Sequence, residues 1–310
     1  MLEAPVFTIL GSGFGMYGYL PALIECGMRV ALPERYRTVV AERSELSQYM
    51  PQIIWCESMD GALEQAYGAV VALRPADQAA WIPRLARMPN LRDLILEKPV
   101  APSPQMAAEL LEVLDRFGKR YRVGYTFRFL PWAKLLRSAL AERPERVSVN
   151  WSFLAHHYRA NLQNWKRFDV SGGGALRFYG IHLIALLAEL GYGDVLTSAA
   201  WGPSDAETAE WEATFGGEAL CPFGLKIDTR ASEPSFTITV RRRDREDECI
   251  VEQSDPFSSI RPSISNGRDP RVDVLGRLCH SFDEADMPNA KRQQAIIGLW
   301  AGVEKKSERR

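Results

Sequence analysis

The chain has 310 residues, 46% of them hydrophobic and 25% charged, with 38 Lys and Arg against 39 Asp and Glu for a formal net charge of −1. That length allows two substantial cores, and the balanced charge offers no broad field to draw the chain to nucleic acid or a membrane surface. Cys26, Cys56, Cys221, Cys249 and Cys279 are odd in number and never spaced as C-x-x-C, which argues against a disulfide framework or a zinc site and for a reducing compartment.

The start, "MLEAP", lacks the basic and long apolar stretches of a signal peptide, and no apolar run approaches the ~20 residues that span a bilayer. A cytoplasmic location is expected. Short apolar runs then alternate with helical patterns. "VFTIL" (6–10), "RVAL" (29–32), "IIWC" (53–56), "AVVAL" (69–73), "DLILE" (93–97) and "YRVGY" (121–125) read as strands. One intervening helix, 103–118, has Ser103 as cap, Pro104 at its first position and Gly118 past its end. The alternation predicts a doubly wound parallel sheet over residues 1–124, with ligands outside the carboxyl ends of its strands.

The first strand runs into "ILGSGFGMYGYLPAL", where a dinucleotide fingerprint belongs. Such a loop brings backbone N–H groups against a pyrophosphate at a helix N-terminus. The repeat fits Gly13, Gly15 and Gly18, or Gly11, Gly13 and then Met16. The alternative is a glycine-rich turn that holds nothing. Gly11, Gly13, Phe14 and Gly15 are the candidate contacts. The second strand ends in "LPERYR", with Pro33 where an acid would favour NAD, then Glu34, Arg35 and Arg37. Both cofactors stay open, with the two guanidiniums favouring the extra phosphate of NADP. The fifth strand ends in Glu97-Lys98-Pro99, which is either an ordinary strand end reaching solvent or a tip that delivers Lys98 into a cleft.

Beyond residue 125 the pattern changes. A helix at 131–142 leads into long alternating strands at 146–154, 195–202, 208–216, 220–228, 235–242 and 248–253. A long helix over 172–191 interrupts them, and helical segments near 270–282 and 289–305 close the chain. Residues 125–310 therefore read as an α+β domain with a mainly antiparallel, open-faced sheet. "RRRDREDE" (241–248) cancels its own charge and reads as a hairpin end. His156 and His157 are adjacent at a strand end, face opposite sides and make a poor metal pair, so no metal is expected. No Ser-His-Asp arrangement or P-loop lysine stands out.

The glycine loop, "EKP" (97–99), "VGYTFRF" (123–129), "NWKR" (164–167) and "GGGALRFYGIH" (172–182) together resemble the Gfo/Idh/MocA oxidoreductases, the family of glucose-fructose oxidoreductase and inositol dehydrogenase. The resemblance covers nearly the whole chain. It implies a Rossmann domain for a nicotinamide cofactor and a second domain whose open sheet joins subunits, so a homodimer or homotetramer. It further implies small-molecule substrates, mostly sugars, cyclitols and related alcohols or ketones. Glu97, Lys98 and Pro99 would line the cofactor cleft, with Lys98 and His182 handling the proton that accompanies hydride transfer. Tyr125, Arg128, Trp165, Lys166, Phe178 and Tyr179 fall at candidate substrate positions.

One position departs from the family pattern. Four residues before His182, on the same helix face at 3.6 residues per turn, the family has Asp and this chain has Phe178. A phenyl ring cannot raise the pKa of a neighbouring base as a carboxylate does, so His182 and Lys98 are expected to be largely neutral near pH 7 in a closed site. Three readings follow: an NAD(P)-dependent dehydrogenase working with Lys98, His182 or a tyrosine hydroxyl; an imine reductase; or a catalytically silent, cofactor-binding regulator.

Overall fold

The computed structural model describes residues 4–260, 267–283 and 289–310. They gather into two compact units, the first drawn from the described residues within 4–100, 109–126, 260, 267–283 and 289, the second from 101–108, 127–259 and 290–310.

The first unit is built on six parallel strands: β1 (Val6–Leu10), β2 (Arg29–Pro33), β3 (Ile53–Cys56), β4 (Gly68–Val71), β5 (Asp93–Leu96) and β6 (Arg120–Val123). Their order is β3-β2-β1-β4-β5-β6, so the direction of winding reverses between β1 and β4, where doubly wound sheets take their ligands. β4 and β5 are buried along their whole length, as strands covered on both faces must be, and Asp93, which opens β5, is held there by Arg120 at 2.7 Å. The loop after β1 and the tip of β5 both lie at the carboxyl edge. The helix Val272–His280 also belongs to this unit and packs on the helix Leu20–Glu25. Arg268 forks onto Glu25, with Nη2 2.5 Å from Oε2, and Cys26 Sγ lies 3.7 Å from the Gly276 carbonyl.

The second unit is built on seven strands: β7 (Arg146–Leu154), β8 (Asp194–Trp201), β9 (Glu210–Gly216), β10 (Phe223–Asp228), β11 (Arg230–Arg241), β12 (Glu248–Gln253) and β13 (Ser307–Arg309), in the order β12-β11-β7-β10-β9-β8-β13. The sheet is mainly antiparallel, but β7 pairs with β10 and β8 with β13 in parallel. Trp211, Phe215, Phe223, Phe236 and Ile238 bury one face, and Trp132 of the helix Pro131–Ala141 lies 4.9 Å from the Phe236 ring. The other face carries Asn150, Lys226 and Glu212 side by side. The charged run at 241–248 is the β11–β12 hairpin end, as read from the sequence.

Two sequence expectations need correction. His156 and His157 are not at a strand end but on the single helical turn His156–Arg159, with His157 buried and His156 exposed. The stretch Asp169–Glu189 is long and apolar enough to span a bilayer by length and composition only; 72% of its most apolar 18-residue window is buried, as in a core helix.

Candidate functional site

The loop after β1 is shaped by its glycines. Gly11 turns at φ +119°, and a Cβ there would sit 2.2 Å from the Ala72 carbonyl oxygen, so only glycine fits. A Cβ on Gly13 would meet nothing within 4 Å, and Gly13 and Ser12 are exposed. The tip is therefore open space beside backbone donors. At Gly15 a Cβ would lie 2.7 Å from Ile9 and 3.3 Å from Ala72, the close helix-to-sheet packing that the third glycine of the fingerprint provides. The register thus starts at Gly11 and Gly13, with the packing glycine one place early. Met16 is consequently buried, and the helix opens with a wide π turn, Gly15–Tyr19, a local expansion common at functional sites. Phe14 lies over Gly18, whose Cβ would be 2.5 Å from the ring, and contacts Tyr17 and Tyr19 edgewise at 5.3 and 5.4 Å.

At the end of β2 the acid and the arginine are joined. Glu34 takes hydrogen bonds from Nε and Nη2 of Arg37, the second at 3.0 Å, which hold its carboxyl below the usual range. Arg37 also lies 4.4 Å over Trp55 and Arg35 5.2 Å over Tyr36. The Tyr36 hydroxyl accepts the Gly11 N–H at 3.2 Å, tying this turn to the glycine loop.

At the tip of β5 the Lys98–Pro99 peptide is cis. The buried Gln78 donates from Nε2 to the carbonyls of Glu97 (2.8 Å) and Pro99 (3.0 Å), bracketing Lys98. Glu97 Oε1 accepts the Tyr19 hydroxyl at 2.6 Å, and Oε2 lies 3.3 Å from the Lys98 backbone N–H. A Cβ on Gly124 would be 2.7 Å from Oε1, so that glycine makes room for the carboxylate. Burial pushes the Glu97 carboxyl up, against the pull of the Lys98 cation, the Tyr19 hydroxyl and Arg271. Burial also raises the Tyr19 hydroxyl, and the Glu97 charge adds to it. The acid next to the lysine is thus a clamped structural group.

The second unit presents a different surface. Gly174 sits at φ +78°, ψ 173°, a glycine-only region, and its N–H donates to the Lys166 carbonyl at 2.9 Å. A Cβ on Gly173 would lie 2.4 Å from the Trp165 carbonyl oxygen. The glycine triplet therefore holds the "NWKR" loop backbone to backbone. Asp169, between them, accepts the Thr208 N–H (3.0 Å) and hydroxyl (2.7 Å) and pairs with Arg309 at 2.9 Å. A second π turn, Ala175–Gly180, follows before the helix Ile181–Glu189.

That wider turn alters the spacing expected for residues 178 and 182. Phe178 meets Trp165 (5.2 Å), Tyr179 (4.8 Å) and the Lys166 ammonium (5.3 Å). The His182 imidazole instead stacks on Phe127 at 4.4 Å and 10°. Tyr179 continues the wall to Phe153 (4.8 Å) and Trp151 (5.7 Å); burial raises its hydroxyl and that of Tyr125 in the first unit. Behind the wall, burial, with Arg167 and Lys166 adding to it, lowers the His157 pKa to about 4. Arg128 lies 3.4 Å from Glu189, the ion-pair alternative to a substrate contact. No group of three or more His, Cys, Asp or Glu is placed to hold a metal among the described residues.

Tyr19, Tyr36, Gln78, Gly124, Asp169 and Arg271 shape these surfaces without having been singled out in the sequence. Only the aromatic density of "GMYGY" and the "FRF" and "RFYG" runs hinted at the packing.

No family model matches the chain, and no curated protein matches it in sequence. Solved structures do match in fold. GenD2 from gentamicin A biosynthesis, in complex with NAD, superposes with a TM-score of 0.69 at 16% identity, covering 99% of this chain and 95% of that one. The WlbA dehydrogenase from Bordetella pertussis, in complex with NADH and UDP-GlcNAcA, gives 0.72 at 14% identity, covering 98% and 97%. The super-repressor mutant of Gal80p from Saccharomyces cerevisiae gives 0.71 at 11% identity, covering 98% and 97%.

Proposed function

We propose, from the premise that the chain has the two-domain fold of the Gfo/Idh/MocA-type dehydrogenases, that it is an NAD(P)-dependent oxidoreductase. Its reaction is hydride transfer between nicotinamide and the carbonyl or alcohol carbon of a sugar-like or other polar small molecule. The observation that carries this reading is the loop after β1: a glycine-only turn at Gly11, open space at Gly13 and a packing glycine at Gly15, beside the sheet's reversal point. Those residues fit a pyrophosphate. The Glu34–Arg37 turn would meet the adenosine ribose, and the Glu97-Lys98-Pro99 tip would meet the reacting end. Arg35 and Arg37 favour NADP, because a 2′-phosphate can replace Glu34 on the Arg37 fork.

Bound there, the nicotinamide supplies or accepts the hydride. The chain must manage the proton, since a reduced carbonyl leaves an alkoxide. Lys98 and His182 carry that role. Tyr179, kept as a hydroxyl by burial, offers a further donor. The aromatic wall of Trp165, Phe178 and Tyr179 in the second unit offers a flat apolar face on which a ring substrate can stack. The polar open face of the seven-stranded sheet is the surface for a homodimer or homotetramer.

A second reading is favoured by Phe178 itself: a fold that binds cofactor but signals instead of catalysing, or that reduces imines. NADPH and NADH oxidation against a panel of sugar ketones and imines separates these. Turnover of a ketone supports the dehydrogenase and turnover of imines alone supports the reductase. Cofactor binding with no turnover, and with altered affinity for a protein partner, supports the regulator.

A further inference from the structure

We propose that Arg271 is a positioning residue of the glycine loop, holding Phe14, and with it residues 11–19, in the shape that receives a dinucleotide. The inference rests on the cofactor reading above and adds a residue more than 250 positions away in sequence. Phe14 stands between the open Gly13 and the packed Gly15. Its ring is bounded by Tyr17 and Tyr19 on its edges and by the Gly18 backbone beneath, where no side chain fits. The Arg271 guanidinium lies over the ring, 4.3 Å from its centroid. A cation over an aromatic face in a partly desolvated place is a directional attraction, so Arg271 holds the ring by contact and by charge.

Arg271 is itself held by three hydrogen bonds to one carboxylate. Asp269 Oδ1 accepts both its backbone N–H and its Nε at 2.9 Å, and Oδ2 accepts Nη2 at 2.7 Å. Arg271 opens the helix Val272–His280, which packs on the helix that follows the glycine loop, with Arg268 bridging Glu25 and Asp273. Arg268 before it and the helix after it therefore both anchor Arg271 where it meets Phe14. Tyr19, against the other edge of the ring, carries the order to Glu97 and the Lys98 backbone through its 2.6 Å hydrogen bond. Arg271 also exerts a pull toward ionisation on Glu97 and Tyr19.

The test compares Arg271→Ala, Arg271→Lys and Phe14→Leu with the wild-type chain by amide hydrogen exchange without cofactor, and by fluorescence titration with NADH and NADPH. In Arg271→Ala, exchange over 11–19 should rise roughly tenfold while β1 and β4 stay protected, and cofactor affinity should fall by a similar factor. Arg271→Lys should restore most of both, because an ammonium still sits over the ring. Should Arg271→Ala fail to fold, Phe14→Leu poses the same question from the loop side and should loosen 11–19 in the same way. Unchanged exchange over 11–19 in whichever of the two folds overturns the proposal, as does a lysine variant no better than alanine. A wild-type chain that binds neither cofactor, yet shows Arg271-dependent loop protection, would sink the oxidoreductase reading and overturn the dinucleotide part of this one, leaving Arg271 a clamp on the loop's shape alone. Cofactor binding with a loop indifferent to Arg271 would support the oxidoreductase reading and overturn this one.

Discussion

Each unit contains a glycine-rich loop that runs into a π turn, 11–19 in the first and 172–180 in the second, and the two use their glycines oppositely. In the first, Gly11 makes the turn and a Cβ on Gly13 would meet nothing within 4 Å, so the loop keeps its own side chains away from its tip. In the second, Gly173 and Gly174 are pressed against the Trp165–Lys166 backbone and Asp169, so the loop builds a wall. The surroundings follow suit. The first loop is flanked by a clamped acid, Glu97, and the lysine beside it; the second by Trp165, Phe178 and Tyr179. Similar glycine patterns can serve a ligand or the protein's own chain, and only the neighbours tell which.

The largest effect should come from Lys98→Ala, which on this account lowers turnover by roughly 10²–10⁴-fold while cofactor affinity stays within a few-fold. Equal loss of binding and turnover would make Lys98 a binding residue only. Gly174→Ala comes next. The methyl would meet Asp169 Oδ1 at 2.3 Å at a φ of +78°, and denaturant unfolding should show a loss of about 3 kcal/mol or more.

Restoring a carboxylate with Phe178→Asp should cost about 2 kcal/mol by removing the ring from its aromatic neighbours, without raising kcat. A tenfold gain in kcat would instead mean that the missing acid limits the reaction. His157 gives a smaller, pH-dependent effect. Its folded pKa of about 4 lies below the ordinary 6.5, so the unfolded chain binds the extra proton between those values and stability falls as pH drops from 6.5 to 4. His157→Gln should flatten that slope, worth about 2 kcal/mol at its acid end. Gly13→Ala completes the comparison. With nothing within 4 Å of the new methyl, stability should change by under about 0.5 kcal/mol, yet NADPH and NADH affinity should drop at least tenfold because the methyl occupies the open tip.

Much of this was legible in the chain. The six strands of the first unit are short apolar runs with turn residues between them, and the full burial of β4 follows from its unbroken apolar sequence, whereas β5 opens with a buried Asp93 whose partner, Arg120, the spacing does not reveal. The parallel pairing of β7 with β10 was not legible, because strand alternation records which face is buried and not which neighbour lies alongside. The return of the described residues 267–283 to the first unit likewise leaves no local signal, since an amphipathic helix such as Val272–His280 fits any apolar groove. In the site, Lys98 was marked by its place at a strand end. The role of Glu97 was not, because its orientation depends on Tyr19 and Gly124, far apart in sequence. The glycine register stayed ambiguous for a similar reason: the packing at Ile9 and Ala72, not the spacing, decides which glycine does what.

The central claim is that the loop after β1 receives a nicotinamide dinucleotide, and a fluorescence titration of the intact chain with NADPH and then NADH tests it most directly. The account predicts saturable binding of at least one, tighter for NADPH, and lost in Gly13→Ala. Failure of the intact chain to bind either at millimolar concentration would contradict it.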